Sequence, residues 1–349
     1  VTSPRPRAAH LVLGIESSCD EMAAALVEDG LRVRASCIRG QAESHRPYGG
    51  VVPEIASRDH LRSVSQVVEQ ALAEAGVAAE SLDGVAATAG PGLLGSLLVG
   101  LSFGKALAYR LGVPLVGVHH LAGHLAAAEL AAPQLRPPYL GLVVSGGHTA
   151  LYKITEGAPE LLGETRDDAV GEAFDKVAKL LGLPYPGGPA LSRAAQGGDE
   201  SAYDLPRPLQ ALPGLDFSYS GLKTAVARAV AQAGPLSDSR RADLAASFQA
   251  AATDVLVSRT RRAARQEGLH RVAVVGGVAA NQRLRQAMGR AAERDGLEVF
   301  FPPPELCTDN AVMVAAAGAR LLAQGERHAW SLSAFSRVPL GESPWAEAS

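Results

Sequence analysis

Short apolar runs alternate with glycine-rich polar turns along this chain, and the same order of runs and turns occurs twice. Leu11-Val12-Leu13-Gly14-Ile15-Glu16 reads as a buried strand, a Ser-Ser-Cys-Asp turn follows, and Ala23-Ala24-Ala25-Leu26-Val27 returns as its hairpin partner. Further on, Leu140-Gly141-Leu142-Val143-Val144 leads into Ser145-Gly146-Gly147-His148-Thr149, and Ala150-Leu151-Tyr152-Lys153-Ile154 returns as a strand. Each hairpin has a later strand, glycine turn and helix of its own. Val85-Ala86-Ala87-Thr88-Ala89-Gly90-Pro91-Gly92 opens into an apolar helix, and Val272-Ala273-Val274-Val275-Gly276-Gly277-Val278 opens into Asn281-Gln282-Arg283-Leu284. The pattern predicts a structural duplication, two α/β lobes with a cleft between them. Its polar glycine turns fall at strand ends, where open α/β sheets bind ligands. The linker is expected around residues 133–138. An Ala-rich helix is expected near residues 311–322 and should pack back across the first lobe. The Arg-rich stretch 258–265 reads as a solvated helix face.

Composition narrows the picture. With 349 residues, 47% of them hydrophobic, and 37 glycines, the chain is long enough for two ordinary cores joined by many tight turns. A net charge of -3 gives no global field for holding nucleic acid, so any RNA contact must be local or shared with a partner. The three cysteines, Cys19, Cys37 and Cys307, form no Cys-x-x-Cys pair and no disulfide framework, which points to a reducing compartment, the cytoplasm. Arg5 and Arg7 precede no apolar signal-peptide core, and no apolar run reaches membrane-spanning length, so neither a signal peptide nor a membrane span is expected.

The candidate chemistry sits at the turns. The Ser145-Gly146-Gly147-His148-Thr149 turn and Gly276-Gly277 can both turn backbone N–H groups toward an anion, although strand-end glycines also serve as simple turn devices. His120 and His124 are spaced i, i+4, which on a helix places both imidazoles on one face for a shared metal; a core or capping histidine is the plainer alternative. His119 would point elsewhere on that helix. A metalloprotease would need a glutamate directly after the first histidine, where the chain has Leu121. Asp309, just before the Ala-rich helix, is either a third ligand or, like Thr308, an N-cap. Asp167, Asp168, Glu172 and Asp175 crowd four carboxylates into nine residues, to be balanced by a cation, a sugar hydroxyl, Lys176 or Lys179, or spread on a solvated helix start. Asp175 is the one placed to reach a ribose. Pro184-Tyr185-Pro186-Gly187-Gly188-Pro189 is a rigid loop that could admit a base or sugar.

Taken together, several segments resemble the universal family of threonylcarbamoyladenosine synthesis, the bacterial tRNA threonylcarbamoyltransferases and their archaeal and eukaryotic relatives. They are Gly14-Ile15-Glu16-Ser17-Ser18-Cys19-Asp20-Glu21, Gly49-Gly50-Val51-Val52-Pro53-Glu54 with Ser57-Arg58-Asp59-His60, Gly90-Pro91-Gly92, His119-His120 with His124, and Val144 to His148. To these add Gly171-Glu172-Ala173-Phe174-Asp175-Lys176, Asp216-Phe217-Ser218-Tyr219-Ser220-Gly221-Leu222-Lys223, Gly276-Gly277-Val278-Ala279-Ala280-Asn281 and Cys307-Thr308-Asp309-Asn310.

The resemblance implies an actin-like, sugar-kinase-like ATPase fold of two duplicated RNase-H-like lobes around a central nucleotide cleft. The first lobe would run over about 10–132, with a C-terminal helix at about 320–340 packed back on it, and the second over 133–319. It implies metal ligands at His120, His124 and Asp309, with Fe(II) the usual ion and Zn(II) the alternative. Carried over residue by residue, the adenylate site would comprise Val144, Ser145, Gly146, Gly147, His148, Asp175, Gly188 and Asn281, and ATP or ADP could occupy the same place. The family pattern often has an acidic residue shortly after Gly188, where this chain has Ala190, Leu191 and Ser192. The implied reaction moves the threonylcarbamoyl group of threonylcarbamoyl-AMP to the exocyclic amine of the adenosine 3′-adjacent to the anticodon. The tRNAs concerned read codons beginning with adenine, and AMP is released. Asp20 or Glu21 would orient the amine or accept its proton. Implied partners are tRNA, an inactive paralogue of the same fold dimerising with the first lobe, and a small P-loop ATPase; the apolar helix after Gly92 is a candidate dimer face or, alternatively, packs into the chain's own core. Rival readings are a carbamoyltransferase of the same fold, a zinc endopeptidase and a nucleotide-switched scaffold without catalysis.

Overall fold

The computed structural model describes residues 10–342. The chain divides into two compact units. Of the described residues, unit 1 takes 10–45, 51–130 and 309–342, and unit 2 takes 46–50 and 131–308. In chain order the first elements are β1 (Leu11–Glu16), β2 (Glu21–Glu28), β3 (Arg32–Gly40), α1 (Ala42–His45), α2 (Pro53–Ala75), β4 (Gly84–Gly90), α3 (Leu94–Leu111), β5 (Leu115–His119) and α4 (His120–Ala131). Next come β6 (Tyr139–Val144), β7 (Thr149–Ile154), β8 (Glu160–Glu164), α5 (Val170–Leu180), α6 (Gly187–Ala194), α7 (Ser220–Ala233) and α8 (Asp238–Glu267). The last are β9 (Arg271–Val275), α9 (Gln282–Asp295), β10 (Glu298–Phe300), α10 (Pro304–Cys307) and α11 (Ala311–Ala323).

The two sheets share one topology. Strand order is β3-β2-β1-β4-β5 in unit 1 and β10-β9-β6-β7-β8 in unit 2. Each starts with an antiparallel three-strand meander, and its fourth and fifth strands then run parallel to the first. The duplication legible in the sequence is therefore real at the level of strand order.

Every residue of β1 and β4 is buried, as expected of central strands covered on both faces. Helices α2 and α3 contribute Val64, Val67, Leu97 and Leu101 to the core on β1 and β2. Against β1, β2 and β4 lies α11. The approach is close at Gly14, where a Cβ would stand 2.4 Å from the carbonyl oxygen of Ala311 and 2.5 Å from the nitrogen of Ala315. Only glycine lets the helix backbone rest directly on the strand there.

In unit 2 the apolar stripe of α5, Val170, Ala173, Phe174, Val177 and Ala178, repeats at helical spacing and joins Leu142 and Val144 of β6 in the core. Phe174 meets Phe248 of α8 edge to face, with ring centroids 5.1 Å apart.

Three sequence expectations need correction. The C-terminal helix spans Ala311–Ala323, where the alanine-rich pattern placed it and not at about 320–340 as the resemblance implied, and from residue 325 onward the described chain has no helix. Residues 309–319, expected with the second lobe, belong to unit 1, because an apolar alanine-rich face can be buried against the first sheet. The Arg-rich stretch 258–265 is not uniformly solvated. Arg259 is buried and its guanidinium donates to the carbonyls of Leu209, Leu212 and Gly214, so its charge is met by loop backbone. No helix among the described residues is long and apolar enough to cross a membrane.

Candidate metal centre and nucleotide turns

Unit 1 gathers its polar chemistry at the C-terminal ends of β1 and β5. His119 closes β5 and His120 opens α4, so the two adjacent histidines do not share a helix, contrary to the sequence expectation. The ring of His119 turns away: Nε2 lies 3.1 Å from the carbonyl of Val338, and Nδ1 accepts the Leu121 N–H at 3.2 Å. His120 and His124, one helical turn apart on α4, stand edge to face with centroids 4.8 Å apart.

Asp309 arrives from the other side, just before α11. The cap of α11 is Asn310, whose Oδ1 accepts the N–H of Met313 at 3.0 Å. That settles whether Asp309 is the cap: its carboxylate instead lies 3.2 Å from His124 Nε2 and 3.5 Å from His120 Nε2. One ligand atom from each of the three residues lies within 4.8 Å of the others.

The donor set fits a divalent transition metal. Both ring nitrogens of His124 are buried without a hydrogen-bond partner, although Nε2 is at ion-pair distance from Asp309. Proximity without alignment is what two donors show when they face a common third atom. His120 is oriented from behind, its Nδ1 3.2 Å from both Glu16 Oε2 and Ser18 Oγ. A carboxylate behind a histidine fixes the tautomer and leaves Nε2 as the ligand atom. Glu16 is itself held by the Thr88 hydroxyl at 2.6 Å and the Ser18 N–H at 2.5 Å.

Electrostatics follow this geometry. Burial opposes charge on both partners, but attraction to His120 holds the Glu16 carboxyl below its usual value. Burial also disfavours the His120 imidazolium, yet Asp309 and Glu16 together push it up to about 9. An imidazolium and a divalent cation are thus alternatives here, since Nε2 must lose its proton before it can bind metal. Glu21, at the start of β2, is pushed well above the carboxylate range by burial and by the charges of Asp309 and Asp20. A cation among these carboxylates removes that repulsion.

Unit 2 places its glycine turns at the corresponding strand ends. Residues 145–148 link β6 to β7, with Ser145 N–H donating to the His148 carbonyl at 2.8 Å and His148 N–H to Ser145 Oγ at 3.1 Å. Gly146 and Gly147 open onto space, and their N–H groups have no partner among the described residues. The N-terminus of α5 is drawn beside this turn: Thr149 Oγ1 accepts the Val170 N–H at 2.8 Å and the Ser145 carbonyl accepts that of Gly171 at 3.2 Å. A Cβ on Gly171 would stand 2.5 Å from that carbonyl oxygen. Gly276, at φ +93°, ends the neighbouring strand β9, and a Cβ there would lie 2.5 Å from the Val144 carbonyl oxygen. The turns from residue 144 and residue 276 are therefore side by side at one end of a parallel pair.

Asp175, Gly188 and Asn281 do structural work in this region. Asp175 Oδ1 accepts the N–H groups of Gly187 and Gly188 at 2.9 and 3.2 Å, capping α6. Asn281 caps α9 through Leu284 N–H at 3.0 Å, and its Nδ2 donates to Ser192 Oγ at 3.0 Å and Gln249 Oε1 at 2.8 Å. Among the crowded carboxylates, Asp168 takes Lys176 and Lys223 at 2.8 and 2.9 Å, and Asp167 accepts from Ser218, Tyr219 and Ser220 at the start of α7.

Sequence reasoning gave no role to Glu16, Ser18 or Thr88. A signal for Glu16 was present: an acid closing an otherwise apolar, buried strand costs free energy unless it is paired.

Two sheets of one topology, with ligand turns at equivalent strand ends, define the duplicated α/β fold of the actin-like ATPases. Solved structures agree on the fold. The HypF protein of T. kodakarensis superposes with a TM-score of 0.61 at 17% identity, over 90% of this chain and 48% of that one. Component A of the Acidaminococcus fermentans (R)-2-hydroxyglutaryl-CoA dehydratase gives 0.54 at 16%, over 90% and 99%.

Sequence relatives narrow the class. Residues 32–316 match the family described as TsaD, tRNA N6-adenosine threonylcarbamoyltransferase, and the chain belongs to that family. It is 55% identical to the protein of that name from Symbiobacterium thermophilum, over 95% of this chain and 97% of the relative. With the one from Syntrophotalea carbinolica the identity is 50%, over 97% and 99%.

Proposed function

We propose that this protein is the enzyme that transfers the threonylcarbamoyl group of threonylcarbamoyl-AMP to N6 of a tRNA adenosine. The target is the adenosine 3′-adjacent to the anticodon in tRNAs reading codons that begin with adenine. The observation that carries this reading is the family match over residues 32–316, in a chain that brings His120, His124 and Asp309 together. In the reaction N6 forms a bond to the carbamoyl carbon, the bond from that carbon to the phosphate oxygen breaks, AMP departs, and N6 gives up a proton.

Two histidines and one carboxylate suit Fe(II), with Zn(II) the alternative, and a bound divalent ion would supply Lewis-acid stabilisation of oxygen charge. The protein's own part is more specific. Glu16 and Ser18 hold the His120 ring so that Nε2 faces Asp309 and His124. In unit 2, the N–H groups of Gly146 and Gly147 and the N-terminus of α5 suit the adenylate phosphate, together with the backbone from Val144 to His148 and Gly188. Asp175 holds Gly187 and Gly188, and Asn281 caps α9 and ties it to Ser192 and Gln249, both beside the adenylate position this reading assigns them, and ATP or ADP would fit the same turns. Asp20 and Glu21, where β1 turns into β2 at the strand end that carries Glu16, would orient the N6 amine or accept its proton.

An inactive paralogue and a small P-loop ATPase complete the reading as partners. The exposed Leu94 and Leu98 on α3, beside the exposed Leu61 of α2, offer an apolar face for the paralogue.

The test is nucleoside mass spectrometry of unmodified tRNA incubated with the protein, its partner subunits, threonylcarbamoyl-AMP and Fe(II) or Zn(II). Metal-dependent threonylcarbamoyladenosine, lost in the His120→Ala/His124→Ala double variant, is the expected result. Absence of product with every metal, while ATP is still bound, would overturn the transferase reading in favour of a nucleotide-switched scaffold.

A further inference from the structure

Away from the strand-end turns, unit 2 carries a basic groove with no role in the chemistry above. Helices α8 and α9 run side by side in the same direction, since Arg283 near the start of α9 meets Asp254 of α8 and Asp295 at its end meets Arg261. Between them lies a groove of about 320 Å³, lined by Asp254, Ser258 and Arg261 on one side and Ala287, Arg290 and Arg294 on the other. Around the groove Arg261, Arg265, Arg290 and Arg294 outnumber the carboxylates of Asp254 and Asp295, a local positive excess in a chain whose net charge is -3.

The carboxylates of the groove are already committed. Asp254 is taken by Arg207 at 3.1 Å and Arg283 at 2.6 Å. Asp295 receives Arg261 through two nitrogens, while Arg265 and Arg294 reach it only at 3.7 and 3.8 Å. Arg290 is exposed and has no ion-pair partner among the described residues. Two arginine pairs at i, i+4 spacing, Arg261 with Arg265 and Arg290 with Arg294, thus flank the groove on opposite helices. Like charges at that spacing repel one another and add nothing to helix stability. Two rails of guanidinium with the intervening acids neutralised match a chain of phosphates, which guanidinium binds through paired N–H donors.

The geometry points to the α8–α9 groove as a docking surface for the phosphate backbone of the RNA substrate, with Arg290 and Arg294 as its principal contacts. This rests on the proposed tRNA substrate and deepens that reading, because a chain with net negative charge needs a local site to hold a polyanion.

The experiment measures binding of unmodified tRNA by fluorescence anisotropy across a salt series, using the full chain with its partner subunits. Wild type is compared with Arg290→Gln/Arg294→Gln and Arg290→Glu/Arg294→Glu. Both side chains face solvent, and a thermal melt with ATP titration confirms that fold and nucleotide turns are intact. Affinity is expected to fall on the order of tenfold in the Gln pair and further in the Glu pair, and the slope of log K against log salt to drop by about 2. The KM for tRNA should rise while kcat at saturating tRNA is kept. Unchanged affinity and slope in both variants, with wild type binding and modifying tRNA, would overturn the groove alone, as would loss of a partner subunit with tRNA affinity intact. Failure of wild type to bind tRNA at all would overturn the groove together with the substrate reading beneath it.

Discussion

His119 and His120 are adjacent in sequence and have opposite electrostatic surroundings. Burial without a carboxylate partner pushes His119 down to about 4, whereas Asp309 and Glu16 overcome burial and raise His120 to about 9. For His119 the linkage is direct: the unfolded ring takes a proton near pH 6.5 and the folded ring does not until about pH 4. Its stabilising contribution is therefore complete above pH 6.5 and is lost as pH falls toward 4, by about 3 kcal/mol at most. Denaturant unfolding at pH 7 and pH 4.5 should show a smaller difference in a His119→Gln variant than in wild type. An identical difference would sink the assignment. The i, i+4 spacing of His120 and His124 was legible in the sequence because helix geometry is local. Glu16 was not, because its partner lies 104 positions away and only folding brings the two together.

At the scale of elements, α5 and the 145–148 turn form one unit of structure through Gly171. In Gly171→Ala the new Cβ would meet the Ser145 carbonyl oxygen at 2.5 Å and force α5 away from the turn. The expected cost is about 1–3 kcal/mol of stability. ATP affinity, read by isothermal titration calorimetry, should fall on the order of tenfold as the helix N-terminus withdraws from the phosphate position. Wild-type affinity in that variant would show that α5 takes no part in anion binding. The strands and hairpins were readable from apolar runs and polar turns, and the start of α11 from its alanine-rich face. Which polar residue capped α11 was not readable, since Thr308, Asp309 and Asn310 are all competent caps and the choice depends on where the chain enters the first sheet. The register of Arg259 was equally hidden, because a helical arginine can be buried wherever a loop presents enough carbonyls.

For the whole molecule, a metal held by His120, His124 and Asp309 would tie the chain just before α11 to α4 within unit 1. A ligand that binds only the folded state raises stability by about 2.7 kcal/mol at one hundred times its dissociation constant. Thermal melts should therefore shift upward by several degrees with excess Fe(II) under anaerobic conditions or with Zn(II), and return with a chelator. The His120→Ala/His124→Ala variant should show no shift. A wild-type melt indifferent to every metal would remove the metal from the reading. The duplicated strand order, the glycine turns at strand ends, the paired histidines and the family were all determined by the sequence alone, because periodicity, turn chemistry and motif spacing act over a few residues. Local pattern left Asp309 open between cap and ligand, and only the family resemblance grouped it with the histidines. Tertiary structure decided that Asp309, with Asn310 as the cap, faces the rings, that Glu16 stands behind one of them, and that arginines of two helices line a common groove. Each of these joins side chains far apart in the chain, and their meeting is set by how helices pack on sheets, which short-range pattern does not encode.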